Sequence, residues 1–261
     1  MRRFAALPGS ADFARNLVSS DSSVLSPAWP SPLGRQIHFA PRTLIFLEGD
    51  EGQSIFQVLH GSVMLYKLLP DGRRQVVEVL AAGDVFGFSR ARVRTSSAET
   101  LAATRCLVMR REFIEQSPVL SQWLNARLLS QLCALQEHIT LLGRKSATER
   151  VTSFLIRFIP GRGDHDCLGP QVSEDDASVR LTMTRQEIAD YLGLTIETVS
   201  RVLTRLKRCG LLTISRLDEI YVRDVCCLCR LTGAQWTTHR QCSARVEGKA
   251  LALQSRKAPR R

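Results

Sequence analysis

Glu197, Ser200 and Arg201 stand at i, i+3 and i+4 in the run Thr195–Arg208, so a helix through them places all three on one side, near its start. Their chemistry is that of base reading. A guanidinium makes two hydrogen bonds to guanine, a carboxylate accepts from the cytosine amino group, and a hydroxyl serves either base. The spacing predicts a G·C pair read by Arg201 and Glu197, with Ser200 on a neighbouring base. Arg185, Gln186 and Thr195 fall at helix starts, where side chains and backbone N–H groups suit phosphate contacts.

The flanking residues predict the elements that hold this trio. Thr184 followed by Glu187 is a capping box that opens a helix, and Ile188, Ala189 and Leu192 form its apolar face. Gly193 ends it. Thr195 caps a second helix, in which Val199, Val202, Leu203 and Leu206 recur at helical spacing. Two short helices joined by a tight turn, the second with a polar outer face, are the plan of a helix-turn-helix. Leu211–Ile214 and Ile220–Val222 then flank Arg216-Leu217-Asp218-Glu219, a small hairpin or wing, with Arg216 a further candidate phosphate contact.

The string TRQEIADYLGLTIETVSRVLTRLKRCGLL closely resembles the DNA-binding helices of the CRP/FNR family of bacterial transcription regulators. Glu197-Thr198-Val199-Ser200-Arg201 is similar to the E-x-x-S-R recognition motif of its FNR and FixK branches, whereas the cyclic-AMP receptor branch usually has Gly at the position of Ser200. The resemblance extends more loosely over residues 35–225. It implies an α+β chain: an N-terminal cyclic-nucleotide-binding-like β-roll (jelly roll), a long dimerisation helix and a C-terminal winged helix-turn-helix. It also implies a homodimer on palindromic TTGAT-like half-sites, contact with RNA polymerase, and no enzymatic activity.

Composition agrees with that plan. The chain has 261 residues and a net charge of +11, which favours a polyanionic partner such as double-stranded DNA. No run approaches the ~20 apolar residues needed to cross a bilayer, and the basic start lacks the apolar segment of a secretory signal, so a cytoplasmic location is expected. The eight cysteines are irregularly scattered, as in a chain whose thiols stay reduced.

Residues 1–30, rich in Ser, Ala and Pro, read as a flexible extension. Residues 31–117 read as the β-roll. The apolar runs Thr43–Leu47, Ile55–Leu59, Val63–Leu69, Gln75–Leu80 and Cys106–Met109 alternate with turns such as His60-Gly61-Ser62, Asp71-Gly72 and Gly83-Asp84. Residues 118–143 switch to helical period. Leu128, Leu132, Leu135, Ile139 and Leu142 are spaced four, three, four and three, a coiled-coil seam for dimerisation, while Trp123 and Leu124 are placed to pack on the roll. Residues 144–225 hold the winged domain, opened by the Ser146/Glu149 capping box and lined by Val151, Phe154, Leu155 and Phe158, with residues 160–178 as a polar loop. Residues 226–261 read as a terminal helix, Val225–Leu231, and a basic tail.

The ligand of the roll is the open question. Cyclic-nucleotide binders of the family carry an acidic residue after the Gly turn and an Arg-Ser pair; here Asp84 is present, but Arg94-Thr95 is a poor substitute for the pair. An iron–sulfur cluster needs four ligands, usually thiolates, and this chain has no Cys before Cys106. His38 and His60 leave haem open. A roll without any small ligand or cofactor is the preferred reading and is the FixK-like one, which the resemblance ties to genes of low-oxygen respiration or nitrogen fixation. The alternative is a cofactor-gated redox or gas sensor of the same family. Cys209, beside Lys207 and Arg208, is a candidate redox thiol. Cys226-Cys227-x-Cys229, with His239 and Cys242 beyond it, offers metal-ligand residue types but is expected to hold no metal.

Overall fold

The computed structural model describes residues 34–89, 92–159, 162, 175–216 and 219–233. The N-terminal extension, the basic tail, His239 and Cys242 lie outside the described residues. The chain folds as two compact units that part between Thr140 and Leu141.

The first unit is an antiparallel roll. Strands β1 (Arg35–Phe39), β8 (Thr104–Arg110), β3 (Ser54–His60) and β6 (Val85–Phe86) form one sheet in the order β1-β8-β3-β6. Strands β2 (Leu44–Phe46), β7 (Ser97–Thr100), β4 (Val63–Leu68) and β5 (Arg74–Leu80) form the other, in the order β2-β7-β4-β5. Phe46, Phe56, Val58, Val63, Leu80, Phe86, Ala98 and Cys106 fill the space between them. Phe56 and Phe86 stack with ring centroids 5.0 Å apart. Strand β3 is buried on both faces because Ile55 points away from this interior into a second cluster with Leu107, Met109, Ile114 and Leu120, against which Trp123 and Leu124 pack. Gly61 turns the chain at φ +86°, and a Cβ there would collide with the Ala103 carbonyl.

The five apolar runs became β2, β3, β4, β5 and β8. Three strands escaped that pattern. The edge strand β1 mixes Arg, Gln and His with its apolar residues; β6 is two residues long; β7 is built from Ser97, Ala98, Glu99 and Thr100, of which the small Ser97, Ala98 and Thr100 are buried without apolar alternation. The β-roll reading of residues 31–117 is also corrected at its end, where helix α1 spans Arg111–Gln116 and its Ile114 anchors on the roll.

In the second unit, helix α3 (Ala147–Ile156) opens on a complete capping box, with Ser146 and Glu149 each bonding the other's backbone N–H. Helices α4 (Arg185–Leu192) and α5 (Ile196–Arg208) follow. Strands β10 (Leu212–Arg216) and β11 (Glu219–Val222) form the expected hairpin. A third strand, β9 (Ala177–Arg180), pairs with β11, so the polar-loop reading of residues 160–178 is corrected at its last two residues, Ala177 and Ser178, which open a strand whose Val179 is fully buried. Helix α6 (Val225–Arg230) is not part of a detached tail: Val225, Cys226, Cys227 and Leu228 are buried, and Thr152 of α3 donates to the Leu231 carbonyl at 2.9 Å.

Helix α2 (Pro118–Arg144) spans the division between the units. Its Gln131 imitates a strand neighbour: Oε1 accepts from Val85 N–H at 3.0 Å and Nε2 donates to Val85 O at 3.0 Å. The same amide donates to Glu78 on β5 at 2.9 Å. Burial, aided by the nearby Asp84 charge and opposed by the Gln131 bond, pushes the Glu78 carboxyl up to about 7. A folded-state value raised above the unfolded one contributes stability that is complete below the ordinary carboxylate range and lost as pH rises through 7. Parent and Glu78→Gln should therefore differ by a pH-dependent amount. The parent loses up to the order of 3 kcal/mol relative to the variant between about pH 4.5 and 7; parallel melting curves for both across that range would refute the assignment.

Candidate nucleic-acid interface

The trio is displayed as expected. Gly193, at φ 59° and ψ 42°, ends α4 in the left-handed conformation and hands the chain to α5 within two residues. Thr195 caps α5, its hydroxyl accepting from Thr198 N–H at 3.3 Å. Val199, Val202, Leu203 and Leu206 are buried, which fixes the rotation of the helix about its axis and turns the opposite side outward. On that side Glu197, Arg201 and Thr204 are exposed, and Ser200 is half-buried between them. The Glu197 carboxyl is held below the usual carboxylate range by its own backbone N–H first, then by the Thr195 hydroxyl, with Arg201 adding charge. It is thus an ionised acceptor beside a donor fork.

Arg185 is exposed on α4, and its Nη1 makes a long contact, 3.5 Å, to Ser200 Oγ. It therefore lies beside the face that carries Ser200. Gln186 is exposed, with its amide donating to Asp190 at 2.7 Å. Arg216 stands opposite Glu219 in the wing, and its side chain lies outside the described residues. Arg205, Lys207 and Arg208 form the last turn of α5, where positive charge complements the helix dipole. Arg205 also widens the basic surface, and it was not singled out because its position sits between the reading face and the apolar stripe. Cys209 follows at the C-cap and is exposed.

One positioning residue was invisible to pattern reading. Arg150 on α3 donates from Nη2 to Leu142 O at 2.6 Å, from Nε to Lys145 O at 2.9 Å, and from Nη1 to Leu192 O at 3.0 Å and Gly193 O at 3.4 Å. A single guanidinium thus satisfies carbonyls at the ends of α2 and α4, including the turn that launches α5. Nothing in the spacing of Arg150 distinguishes it from a solvated helix residue.

The roll interior holds its own cation. Arg94 is 6% exposed, and its guanidinium lies 4.3 Å from the Phe46 ring centroid and 5.6 Å from that of Phe56. Its Nη1 donates to Ser54 O at 3.0 Å and also to Gly87 O. Gly52 and Gly87 make room: a Cβ on either would strike the guanidinium. Desolvation lowers the Arg94 value, opposed by Asp50. Asp84, the acidic residue of the Gly turn, accepts from Ala81 N–H at 2.8 Å and so serves the turn itself. His38 and His60 are exposed and lie opposite Arg105 in register from either side. Cys106 is fully buried in apolar surroundings that push its thiol up to about 12. Among the described residues no group of three or more His, Cys, Asp or Glu is placed to hold a metal.

Along α2, Ile139 is 67% and Leu132 50% exposed, while Leu128, Leu135 and Leu142 are half-buried. No described helix is long and apolar enough to cross a membrane.

A jelly roll, a long connecting helix and a winged helix-turn-helix define a two-unit regulator that presents a basic reading helix. Comparison with known proteins makes the class particular. Residues 181–212 match the family of bacterial regulatory proteins of the crp type, and residues 36–117 match the cyclic nucleotide-binding domain. The nitrogen fixation regulation protein FixK of Bradyrhizobium diazoefficiens is 40% identical over 190 residues, 70% of this chain and 76% of that protein. The transcriptional activatory protein AadR of Rhodopseudomonas palustris is 37% identical over 186 residues, 70% of this chain and 75% of that one. The structure of FixK2 from Bradyrhizobium japonicum superposes with a TM-score of 0.66 at 32% identity, covering 77% of this chain and 98% of that chain. The chain belongs to the CRP/FNR family of transcription regulators and stands with its FixK-like members.

Removing the Arg150 head group leaves those carbonyls without their donor, so Arg150→Met should lower the stability of the winged unit by about 1–3 kcal/mol in urea unfolding. An unchanged midpoint would mean that solvent replaces the guanidinium at no cost.

Proposed function

We propose that this chain is a FixK-like transcription activator that binds palindromic TTGAT-like sites as a homodimer and controls genes of low-oxygen respiration or nitrogen fixation in the cytoplasm. The observation that carries the reading is the outward display of Glu197, Ser200 and Arg201 on the Thr195-capped helix. Arg201 and Glu197 read a G·C pair, Ser200 serves a neighbouring base, and Arg185, Gln186, Thr195 and Arg216 take phosphates. The names of the matched relatives, a nitrogen fixation regulator and a transcriptional activatory protein, support the physiological half.

The roll acts without a small ligand in this reading. Arg94 is committed to protein carbonyls and aromatic rings, which supports a roll whose interior is complete as folded. Dimerisation uses the α2 stripe of Leu128, Leu132, Leu135, Ile139 and Leu142, and two-fold symmetry sets two α5 helices one DNA turn apart, ~34 Å. RNA polymerase is met by exposed loops, of which the Asp71–Arg74 tip, stiffened by the Arg73–Asp71 pair at 2.7 Å, is one candidate.

Selection from a random DNA library tests symmetry and sequence together: TTGAT-like half-sites in inverted repeat are expected, and unsymmetrical or unenriched pools would overturn the reading. On the selected site Arg201→Ala should cost about 1–3 kcal/mol and relax one base pair, while Arg185→Ala weakens selected and scrambled DNA alike. Equal losses for Arg201→Ala on both DNAs would remove its base-reading role. Because Leu132 and Ile139 are exposed in the single chain, the pair Leu132→Glu and Ile139→Glu leaves the roll folded yet shifts sedimentation to the monomer. A double variant that sediments as the parent does would move the interface elsewhere.

A further inference from the structure

Three cysteines of α6 have no part in reading DNA, and their surroundings differ sharply. Cys226 and Cys229 stand at C-x-x-C spacing. On a helix this separation brings the two Cα atoms about 5 Å apart, inside the range a disulfide spans. Cys226 is 7% exposed, and its Sγ accepts a hydrogen bond from Arg162 Nη2 at 3.0 Å. The other terminal nitrogen of that guanidinium donates to Asp175 Oδ1 at 2.6 Å, and the Arg162 and Asp175 side chains are each only 12% exposed. Asp175 Oδ2 in turn accepts from Cys226 N–H at 2.7 Å. The three residues form a closed polar ring around one sulfur. Cys229, one turn on, is half-buried and reachable from solvent.

We infer that Cys226 and Cys229 form a redox-active dithiol, with Cys229 the thiol that meets a peroxide and Cys226 the one that resolves it into an intramolecular disulfide. The Arg162 bond to this sulfur favours thiolate, the form that attacks, against desolvation and the Asp175 carboxylate, which bonds the Cys226 thiol and favours its protonated form. Cys106 supplies the contrast: apolar burial without a donor holds its thiol protonated and inert. Cys227, 1% exposed, is walled into the core.

The chemistry balances with hydrogen peroxide as oxidant. The Cys229 thiolate attacks one peroxide oxygen, the O–O bond breaks, and hydroxide leaves and is protonated, giving a sulfenic acid and one water. The Cys226 thiolate then attacks the Cys229 sulfur. The S–O bond breaks, the departing hydroxide takes a proton as a second water, and the S–S bond forms. The two thiols together give up two electrons and two protons. Closing the bond draws the Cys226 sulfur away from Arg162 and reshapes α6, which packs on α3, the helix that carries Arg150.

Peroxide titration of the reduced full-length protein, followed by alkylation and non-reducing peptide mapping, tests this. A Cys226–Cys229 linkage is expected, with loss of two hydrogen masses and full reversal by dithiothreitol. Arg162→Gln should slow its formation about tenfold, the effect of losing an adjacent opposite charge, and Arg162→Lys should restore much of it. Independently of Arg162, Cys226→Ser should strand Cys229 as a sulfenic acid that dimedone captures. The proposal is overturned if both thiols still alkylate once the exposed Cys209 and Cys133 have been oxidised, or if Arg162→Gln forms the linkage at the parent rate.

Discussion

One guanidinium sets the geometry on which the reading helix depends. Helices end in carbonyls without intrahelical donors, and in this unit several such ends converge within reach of Arg150. Its planar fork addresses Leu142, Lys145, Leu192 and Gly193 at once. Lysine, a point charge on a flexible stem, could not hold that many acceptors in fixed directions. Because the Gly193 turn is pinned from behind, the start of α5 is pinned as well, and with it the direction in which Glu197 and Arg201 leave the surface. The support lies on a rigid capped helix rather than on the turn itself, which is the placement that the proposed base reading would require.

The roll solves a different problem with the same chemistry. Arg94 is surrounded by two aromatic rings and backbone carbonyls, with the Asp50 carboxylate acting on it by charge, and two glycines clear the space for it. Such a group costs desolvation, offset here by charge-assisted hydrogen bonds and ring contacts. Ring stacking of Phe56 on Phe86 and the approach of Phe46 complete the interior.

Legibility in the sequence followed the range of the interaction. Short-range signals were readable: both capping boxes, the Gly193 stop, the Thr195 cap and the Asp71-Gly72 hairpin all stand where spacing placed them. The outward placement of Glu197, Ser200 and Arg201 was readable because three residues on one helix face are fixed by period alone. What escaped was long-range or weakly patterned. Arg150 acts on carbonyls up to 43 residues away, and a carbonyl has no letter in the sequence. The short strand β9 hides in a polar stretch with Val179 alone fully buried, and β7 is buried through small side chains. Arg94 read as a failed ligand group because its partners come from Ser54 and Gly87, on other segments.

Helix α2 inverts the usual rule of amphipathic helices. The side turned toward the roll carries Leu120 and Trp123 at its start, but further along it buries the polar Gln131, which bonds Val85, and His138 is buried one heptad on. The opposite side leaves Leu129, Leu132 and Ile139 at least half exposed. Hydrophobic periodicity reports where apolar residues recur, not which side faces the parent domain, and here the two diverge. Had the roll been the sole partner of α2, the apolar stripe would face it and the glutamine would face water. A polar clamp on one side and an uncovered leucine–isoleucine stripe on the other leave apolar surface on α2 that the roll does not cover. That surface is what the proposed two-fold pairing of α2 would bury.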